Sequence, residues 1–563
     1  MNKRNLVLII LLGMSVYTAT AEISSQSRIV HFPVDKSLGQ LRIRDRGSQR
    51  WQDWKDHGFA RGDVVVPDGK ELELVVVFEA FENLSCLSSL EPDNIQKLNI
   101  LSQEITDADL VYIKSLTGLE SLTIGGTCMG PCPFTGQGLI NLKDMTKLRF
   151  LMLDCARLTD DNFIHLKSLK ALEKLWIHRN QQFTGDGLVH LVNLPSLREL
   201  QFWSTLIGND ALKHINKLKV LEVLTIQSTQ VTDEGLAHLK NMSSLKELLM
   251  SGQTTDDGLV HLKGLTYLEE LTIYSTDITD TGLTYLKNLS SLKTLKLNSP
   301  LITPTGLEQL EKDLPRLDIS ISLRVNDDME ITRIKGLSSV TSLSLVRSKV
   351  TDAGFANIGR MISLTYLNAS YTQITDVGFA HLQGLRALND LDLTDSQITD
   401  VGLAHVKGLT SLGTFRLRNT AITDAGLMYL KDLKKLEMLF LDNTKISDAG
   451  LVHLRNLTSL AVLFLSRTNI TGSGLIHLKP LKSLRNLNLS DTPLTYEAVE
   501  HLKEMPWLRT LTLNTTEISG EALQQLRQAL PDCTLHFSKD QFSHETKKLQ
   551  TTSGRLVVSN SNN

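Results

Sequence analysis

The sequence predicts an α/β solenoid, in which short strand–helix units stack along one axis. The first observation is a repeat, because the tripeptide Ile-Thr-Asp and its variants recur every 24 residues through the second half of the chain. The second is the pattern within each repeat, where apolar and polar residues first alternate and apolar residues then recur three apart. One unit cannot bury its own apolar face, so about 18 stacked units between residues 83 and 538 are expected to share a core. Clear copies begin at Ile374, Ile398, Ile422, Ile446, Ile470, Leu494 and Ile518.

One period reads LTSLGTFRLRNTAITDAGLMYLKD. Residues 415–417 alternate in polarity and predict a half-buried strand, whereas residues 426–430 predict a short helix. Thr423 is expected to cap this helix, and Asp424 to interact with the positive end of its dipole. The hydroxyl of Thr420, which recurs where each strand ends, is expected to satisfy the backbone of a buried turn.

The pattern L-x-x-L-x-x-L-x-L-x-x-T-x-I-T-D-x-G-L-x-x-L resembles the repeat of bacterial leucine-rich repeat proteins. This resemblance covers about four-fifths of the chain. It implies a horseshoe with a concave parallel β-sheet and short helices on the convex side. The ITDxGL phrase also resembles the repeats of F-box ubiquitin-ligase adaptors, in which the repeats hold the substrate. No F-box-like helical segment precedes the repeats in this sequence.

Five segments are predicted along the chain. Residues 1–21 have a signal-peptide pattern, with two basic residues, an apolar run and a small-x-small site at residues 19–21. Residues 22–82 predict a β-rich capping module with a turn at Pro67-Asp68-Gly69. Residues 306–322 resemble residues 522–538, and both segments look like terminating caps. We therefore predict repeat arrays over residues 83–322 and 323–538 and a disordered tail over residues 539–563.

Continuous stacking through residue 320 is an alternative to two arrays, because the spacing there remains two whole periods. The signal peptide predicts an exported protein, either periplasmic or extracellular. No other apolar stretch is long enough to cross a bilayer, so we expect no transmembrane segment in the mature chain.

Composition and motifs argue against several classes of function. The formal net charge of −3 does not favour a nucleic-acid partner. The sequence contains no nucleophile elbow, phosphate-binding loop or zinc-protease helix. We therefore predict a protein that is not an enzyme and has no cofactor.

Ten of the 15 histidines share one column of the repeat, in the phrase GLxHLK, which raises the alternative of a ladder of metal ligands. Helices that pack side by side lie about 8–10 Å apart, whereas zinc needs its nitrogen ligands at about 2.1 Å. Tyr285 and Tyr429 also replace the histidine without disturbing the repeat. We interpret the column as part of the scaffold and predict no metal site.

Three cysteines cluster around an insertion in the first half of the chain. Cys128 and Cys132 lie within the insertion, and Cys155 lies one turn further on. In an oxidising compartment we expect two of these three to form a disulfide that pins the loop, and the pairing stays open.

Residues that point away from the core on successive strands form the candidate binding surface. Neighbouring strands lie about 4.8 Å apart, so outward aromatic residues of adjacent repeats are expected to meet. Exposed aromatic clusters are typical anchors of interfaces, although such residues can also be unremarkable choices on a sheet surface. The candidates are Met152, Trp176, His178, Trp203 and Tyr274 in the first array, and Arg416, Arg418, Phe440 and Phe464 in the second.

The predicted function is recognition of another protein, or of a glycan, by an exported non-enzymatic protein through the concave face. The alternative is a substrate-binding effector, like the F-box proteins with this repeat, that acts in a host ubiquitin pathway. The absence of an F-box-like segment and the export signal favour the first interpretation.

Overall fold

The computed structural model describes residues 27–538 and 556–559, except residues 36, 49–52, 77, 103, 126–132, 155–156, 276, 336 and 515–517. The chain forms two compact units, residues 1–229 and residues 230–563. In the repeats of each unit, neighbouring strands pair in parallel and short helices follow the strands. This arrangement confirms the predicted α/β repeat solenoid, and the sheet is open rather than closed.

The first unit contains eleven strands among its described residues. They are β1 (Arg28–His31), β2 (Gly39–Asp45), β3 (Lys55–Phe59), β4 (Asp63–Val66), β5 (Lys70–Val76), β6 (Lys97–Ile100), β7 (Ser121–Ile124), β8 (Phe150–Asp154), β9 (Lys174–His178), β10 (Glu199–Trp203) and β11 (Val223–Gln227). Its helices are Phe78–Ser89, Asp107–Ile113, Gln137–Leu142, Asp160–Leu166, Asp186–Leu191 and Asn209–Ile215.

The N-terminal module joins the repeats through its last strand. Strand β2 pairs antiparallel with β3 and β5, and β1 pairs antiparallel with β4. Strand β5 then pairs in parallel with β6, in the register Glu73 to Lys97. From β5 to β11 each strand pairs in parallel with the next, so the module supplies the first strand of the sheet.

The second unit continues the same pattern. Its strands are β12 (Glu247–Ser251), β13 (Glu270–Tyr274), β14 (Thr294–Leu297), β15 (Asp318–Arg324), β16 (Val340–Ser344), β17 (Tyr366–Asn368), β18 (Asp390–Asp392), β19 (Thr414–Arg416), β20 (Met438–Phe440), β21 (Val462–Phe464), β22 (Asn486–Asn488), β23 (Thr510–Thr512), β24 (Thr534–Ser538) and β25 (Leu556–Ser559). Its helices are Asp233–Leu236, Ala237–Leu239, Asp256–Leu259, Val260–Gly264, Asp280–Leu283, Thr284–Asn288, Pro304–Asp313, Asp328–Ile334, Asp352–Ile358, Asp376–Ala380, His381–Gly384, Asp400–Leu403, Val406–Gly408, Asp424–Leu427, Met428–Leu430, Asp448–Leu454, Ser473–Leu478, Tyr496–Lys503 and Gly520–Ala529.

The sheet of the second unit is not interrupted near residue 320. Strand β15 pairs in parallel with both β14 and β16, with one shift of register between Ile321 and Ser322. The division into arrays at residue 322 remains a prediction from the sequence.

One short strand lies within the predicted tail, residues 539–563. Leu556–Ser559 pair in parallel with β24, and the disorder of the tail stays a prediction. This short apolar, β-branched sequence suits a strand, and β24 otherwise presents an unpaired edge.

The core lies between the sheet and the helices. In the period of β19, the inward residues Phe415 and Leu417 and the helical residues Leu427 and Leu430 are fully buried. Complete burial of each such side chain contributes about 1.5–3 kcal/mol. The same column of apolar residues recurs in each repeat, so the core is continuous along each unit.

The aspartate of the TDxGL phrase connects neighbouring repeats. The backbone N–H of Thr423 donates to Oδ1 of Asp400 at 2.8 Å, and the Thr423 hydroxyl donates to Oδ2 at 2.6 Å. Thr423 itself caps its helix, because its hydroxyl accepts from the N–H of Ala425. The capping prediction is therefore confirmed. Asp424 lies in the first turn of this helix, as expected, and its carboxylate also accepts from Ser447 of the next repeat.

We call this series of bonds the Asp–Thr ladder. In the second unit it links Asp233 to Thr255, Asp256 to Thr279, Asp280 to Thr303, Asp328 to Thr351, Asp352 to Thr375, Asp376 to Thr399, Asp400 to Thr423, Asp424 to Ser447 and Asp448 to Thr471.

The ladder explains the glycine of the same phrase. A Cβ atom on Gly402 would lie 2.4 Å from Oδ1 of Asp376, and one on Gly426 would lie 2.3 Å from Oδ1 of Asp400. No side chain fits this space while the aspartate holds its position. The residues of TDxG therefore act together. The aspartate carboxylate accepts from the threonine of the next repeat, and the glycine avoids a clash with that carboxylate.

The buried turn after each strand is closed by a second hydroxyl. Thr420 donates to the carbonyl oxygen of Leu417 at 2.7 Å, and Thr444 donates to that of Leu441 at 2.6 Å. The residue before each of these threonines has positive φ, 55° at Asn419. Asparagine tolerates this left-handed conformation better than most side chains, so the sequence suits the turn.

Candidate binding face

The open face of the sheet is the side that the helices do not cover. In the first unit, the register places Met152 beside Trp176 and then Gln201, and His178 beside Trp203. These neighbours are the ones expected from the repeat spacing.

Four rings on this face form what we call the Trp cluster: Phe150, Trp176, His178 and Trp203. The ring centroids of Phe150 and Trp176 lie 4.9 Å apart at 84°, and those of Trp176 and His178 lie 6.0 Å apart at 13°. His178 meets Trp203 edge-on, with centroids 5.6 Å apart. Trp203 is 45% exposed, whereas the other three rings are half-buried. The cluster therefore presents one exposed indole on a supported aromatic base.

A buried carboxylate fixes the base of the Trp cluster. Glu199 is only 7% exposed, and its Oε1 accepts from Nε1 of Trp176 and from Nε2 of Gln201, both at 2.8 Å. Lys174 supplies the counter-charge, with Nζ 2.6 Å from Oε2. A buried charge that is paired and fully hydrogen-bonded holds its partners in one geometry, so the Trp176 ring is fixed in position.

A second ion pair lies at the other side of the cluster. Arg179 Nε donates to Oδ1 of Asp154 at 2.8 Å, and this hydrogen bond raises the pKa of Arg179. Burial lowers the pKa of His178, which favours its neutral form. His178 therefore contributes to this face as a flat, uncharged ring between two tryptophans.

The remaining candidates of the predicted first array are placed less centrally. Met152 is half-buried next to Trp176. Tyr274 belongs to the second unit, at the end of β13, where it pairs in register with Ser251 and is 39% exposed. The Trp cluster thus consists of residues of the first unit alone.

The candidates of the predicted second array meet, but in a different arrangement from the exposed ring stack that the sequence suggests. Phe440 and Phe464 pack edge-to-face, with centroids 5.0 Å apart at 72°. Phe440 is only 7% exposed, because the guanidinium carbons of Arg418 and Arg416 lie 4.6 and 5.3 Å from its ring centroid. The expectation of an exposed Phe440 is therefore wrong, since two arginines cover it.

Each of these arginines also has a carboxylate partner. Arg416 Nη1 lies 2.5 Å from Oδ1 of Asp390, and Arg418 Nε lies 2.6 Å from Oδ2 of Asp442. We call this group, with Phe440 and Phe464, the Arg–Phe cluster. Its two arginines and two aspartates balance in charge. Their ion pairs and the ring contacts hold side chains of four strands in one arrangement on the surface.

Several residues that build these clusters were not predicted. Phe150 and Glu199 lie on the open face in the column directly before Trp176 and Gln201. The same alternation that identified Trp176 applies to them, so the register could have found them. Arg179 could not be found in this way, because it adopts positive φ, 53°, after the strand ends.

Some of the other predicted features lie on residues that the structure does not describe. Cys128, Cys132 and Cys155 lie outside the described residues. Among the residues that are described, no group of three or more His, Cys, Asp or Glu side chains is placed to hold a metal ion. In that same part of the chain, no helix is long and apolar enough to span a membrane.

Comparison with known proteins agrees with this geometry. The family model described as Leucine Rich repeat matches residues 385–404, which are 20 of the 24 residues of one period. Residues 385–404 are therefore a leucine-rich repeat, and the fold is that of a leucine-rich repeat solenoid. No curated protein sequence matches this leucine-rich repeat protein.

Solved structures with the same kind of repeat are similar to it. An internalin from Listeria monocytogenes has 23% identity, with 68% of this chain and 88% of that chain covered and a TM-score of 0.30. A leucine-rich repeat protein of Leptospira interrogans has 18% identity, with 82% and 99% covered and a TM-score of 0.32. The mouse RP105/MD-1 complex has 16% identity, with 84% and 86% covered and a TM-score of 0.45.

Proposed function

We propose that this leucine-rich repeat protein is exported and recognises another protein through the open, concave face of its first unit. The observation that carries the proposal is the Trp cluster, in which Trp203 is 45% exposed at the end of a row of packed rings. The sequence supports export, because residues 1–21 have the pattern of a signal peptide. A glycan ligand is the alternative for the same rings, since sugars also stack on indoles.

The rigidity of the Trp cluster favours binding. Trp176 is held by Glu199, and His178 lies between the two indoles. Side chains that are already ordered lose little conformational entropy when a partner binds, so more of the contact energy appears as affinity. Aromatic anchors that become buried when a partner binds dominate the binding energy of many interfaces.

The charges around the Trp cluster indicate an apolar contact. Lys174 is paired with Glu199, and Arg179 is paired with Asp154. Because both ion pairs are internal to the face, it offers no net charge to a partner. Binding through Trp203 should therefore depend little on ionic strength between about 0.05 and 0.5 M salt.

The proposal is tested by affinity capture with the chain from Glu22 to Asn563, which keeps the strand that pairs with β24. Extracellular and envelope extracts are passed over the wild-type protein and over a Trp203→Ala variant, and a captured partner is then purified for direct binding. Loss of a central tryptophan anchor is expected to weaken binding by at least about 30-fold, or 2 kcal/mol. Tyr267→Ala is the matched control, because Tyr267 is 63% exposed but precedes its strand.

A partner that binds the wild-type chain and Tyr267→Ala equally, but not Trp203→Ala, supports the proposal. A partner that binds all three equally contradicts the assignment of the face. Loss of the interaction after enzymatic deglycosylation of the partner identifies the glycan alternative.

A further inference from the structure

The edge on which the strands of the second unit begin carries a group of exposed cations. Each helix leads into the next strand through a short connecting segment, and because the strands are parallel, these segments lie on one edge of the sheet. Residues 431–437, 455–461 and 479–485 are such segments of three consecutive repeats. We call their exposed cations the basic strip: Lys431, Lys434, Lys435, Arg455, Lys482 and Arg485.

The cations of the basic strip form no ion pair with any carboxylate of the residues that the structure describes. Cations in the connecting segments of other repeats are paired, as Lys293 is with Glu269, where Nζ lies 2.5 Å from Oε2. At the C-terminal end of the strip, Lys479 is also paired, with its Nζ 2.8 Å from Oε1 of Glu504. The strip is therefore a limited stretch of this edge on which the cations lack internal partners.

The same three segments contain only two carboxylates, those of Asp432 and Glu437. Neither forms an ion pair with a cation of the strip. This edge thus keeps a strong positive charge, although the formal net charge of the whole chain is −3. A low net charge excludes a strong field around the molecule as a whole, but it does not exclude a local one.

The helix dipole explains only part of the basic strip. Lys431 and Arg455 are the C-terminal caps of their helices, where a cation interacts favourably with the partial negative charge of the helix end. Lys434, Lys435 and Lys482 lie three or more residues beyond the helix end, and the effect of the dipole falls off within one turn. These cations need another reason.

Neutral groups hold several of the cations in place. Nζ of Lys434 donates to the carbonyl oxygen of Lys431 at 2.8 Å, and Nη1 of Arg485 donates to that of Lys482 at 2.7 Å. Nζ of Lys482 lies 3.5 Å from the ring centroid of Trp507. Such contacts order the side chains without cancelling their charge, so less conformational entropy is lost when an anion binds.

We propose that the basic strip binds a linear acidic polysaccharide, a sugar chain with carboxylate or sulfate groups along its length. Neighbouring repeats lie about 5 Å apart at the strands and about 8–10 Å apart at the helices, so the cations of three repeats are spread along the edge. A single small anion contacts few of them at once, whereas a chain that runs along the edge contacts them all. The charge of such a chain complements that of the strip.

The side chains around the cations favour a polysaccharide over a membrane or a nucleic acid. Asn456 and Thr458 are exposed between the cations, and their polar groups suit the hydroxyl groups of sugars. Every leucine of the three segments is buried, so these segments have no large apolar side chain to insert into a bilayer. The rings of Tyr429 and Trp507 are half-buried and each is contacted by a lysine, so they offer no exposed platform on which bases stack.

The basic strip is a second surface, and its function does not depend on the Trp cluster, which belongs to the other unit. Because the contact is ionic, binding to the strip is expected to weaken at least about tenfold between about 0.05 and 0.3 M salt. Binding through Trp203 is expected to depend little on salt, so the salt dependence distinguishes the two surfaces.

Fluorescence anisotropy with labelled heparin, a linear sulfated polysaccharide, and the chain from Glu22 to Asn563 tests the proposal at about 0.05 M salt. A strip variant with four cations replaced is expected to bind heparin at least about tenfold more weakly than wild type. Its substitutions are Lys431→Gln, Lys435→Gln, Lys482→Gln and Arg485→Gln. The control variant removes four cations that are already paired, and it is expected to bind like wild type. Its substitutions are Lys147→Gln, Arg149→Gln, Arg198→Gln and Lys293→Gln.

Circular dichroism verifies that both variants are folded, and neutral dextran is expected not to bind. Heparin that fails to bind the wild-type chain, or that binds the strip variant as tightly, overturns the proposal. Equal weakening in the strip variant and the control assigns binding to the overall charge and also overturns it. Tighter binding of poly(dT), or of vesicles that contain phosphatidylglycerol, than of heparin overturns the choice of a polysaccharide as partner.

Discussion

Asp376 and Thr399 are joined by two hydrogen bonds across neighbouring repeats. The backbone N–H of Thr399 donates to Oδ1 of Asp376 at 2.8 Å, and the Thr399 hydroxyl donates to Oδ2 at 2.6 Å. The side chain of one repeat thereby satisfies the first polar groups of the next helix, so each helix begins at a point set by its neighbour.

Asp376→Ala is expected to destabilise the second unit by about 1–3 kcal/mol, because the N–H and hydroxyl of Thr399 lose a charged acceptor. Urea denaturation followed by circular dichroism measures the change. Hydrogen exchange is expected to accelerate at the amide of Thr399 in particular. Asp376→Asn is the control, since its amide oxygen can still accept from the N–H. An alanine variant with unchanged stability and exchange would contradict the role of the ladder.

Gly402→Ala is expected to cost about 1–3 kcal/mol, because its Cβ would lie 2.4 Å from Oδ1 of Asp376. The clash disappears when Asp376 is shortened, so the double variant Gly402→Ala, Asp376→Ala should be more stable than the two single costs predict. Gly384→Ala is the control, because a Cβ there meets nothing within 4 Å. Additive costs in the urea midpoints would show that the two residues do not interact.

The stability of the first unit is expected to fall as the pH falls below about 6.5, in part because of His178. Burial lowers the pKa of His178 in the folded chain, so the unfolded chain takes up a proton first. Folding stability then rises with pH through this window and is lost on acidification. His178→Gln keeps a flat polar group and should reduce the difference in melting temperature between about pH 5 and pH 8. An equal difference in wild type and variant would exclude His178 as a cause.

Phe440→Ala is expected to destabilise the second unit by about 2–4 kcal/mol, since it removes a buried ring and leaves Arg416 and Arg418 without the surface on which they lie. Phe440→Leu fills much of the space but lacks the ring, so it should cost less. Chemical denaturation of the three proteins measures both effects. If Phe440→Ala has the stability of wild type, the ring does not order the arginines.

Much of the fold could be predicted because the same residues recur at equivalent positions of many repeats. The strand at Phe415, the helix after Thr423 and the buried leucines each follow from a period that recurs. The bond between Asp424 and the next repeat could not be read in this way. The feature nearest to Asp424 in the sequence is a helix start, whereas its partner Ser447 is 23 residues away.

The sequence predicted which residues of the candidate face are neighbours, but not how exposed each side chain is. Alternation places Trp176 and Trp203 on the open face, where the structure has them. Alternation does not report which side chains cover which, so the burial of Phe440 beneath Arg416 and Arg418 could not be foreseen. The pairing of Leu556–Ser559 with β24 also depends on an edge that no local pattern describes.

The Asp–Thr ladder of the second unit has a gap that divides it in two. Its first section ends at Thr303, and the next residue, Pro304, has no carboxylate to offer to the following repeat, so the second section begins at Asp328. Across this point the described residues form no Asp–Thr bond, and the sheet and the core couple the neighbouring repeats. A one-dimensional stack unfolds by fraying that passes from repeat to repeat, and it stops where coupling changes. A chain held at both ends and stretched should therefore unfold in two steps, each lengthening the chain by one ladder section. The two sections should refold in the reverse order.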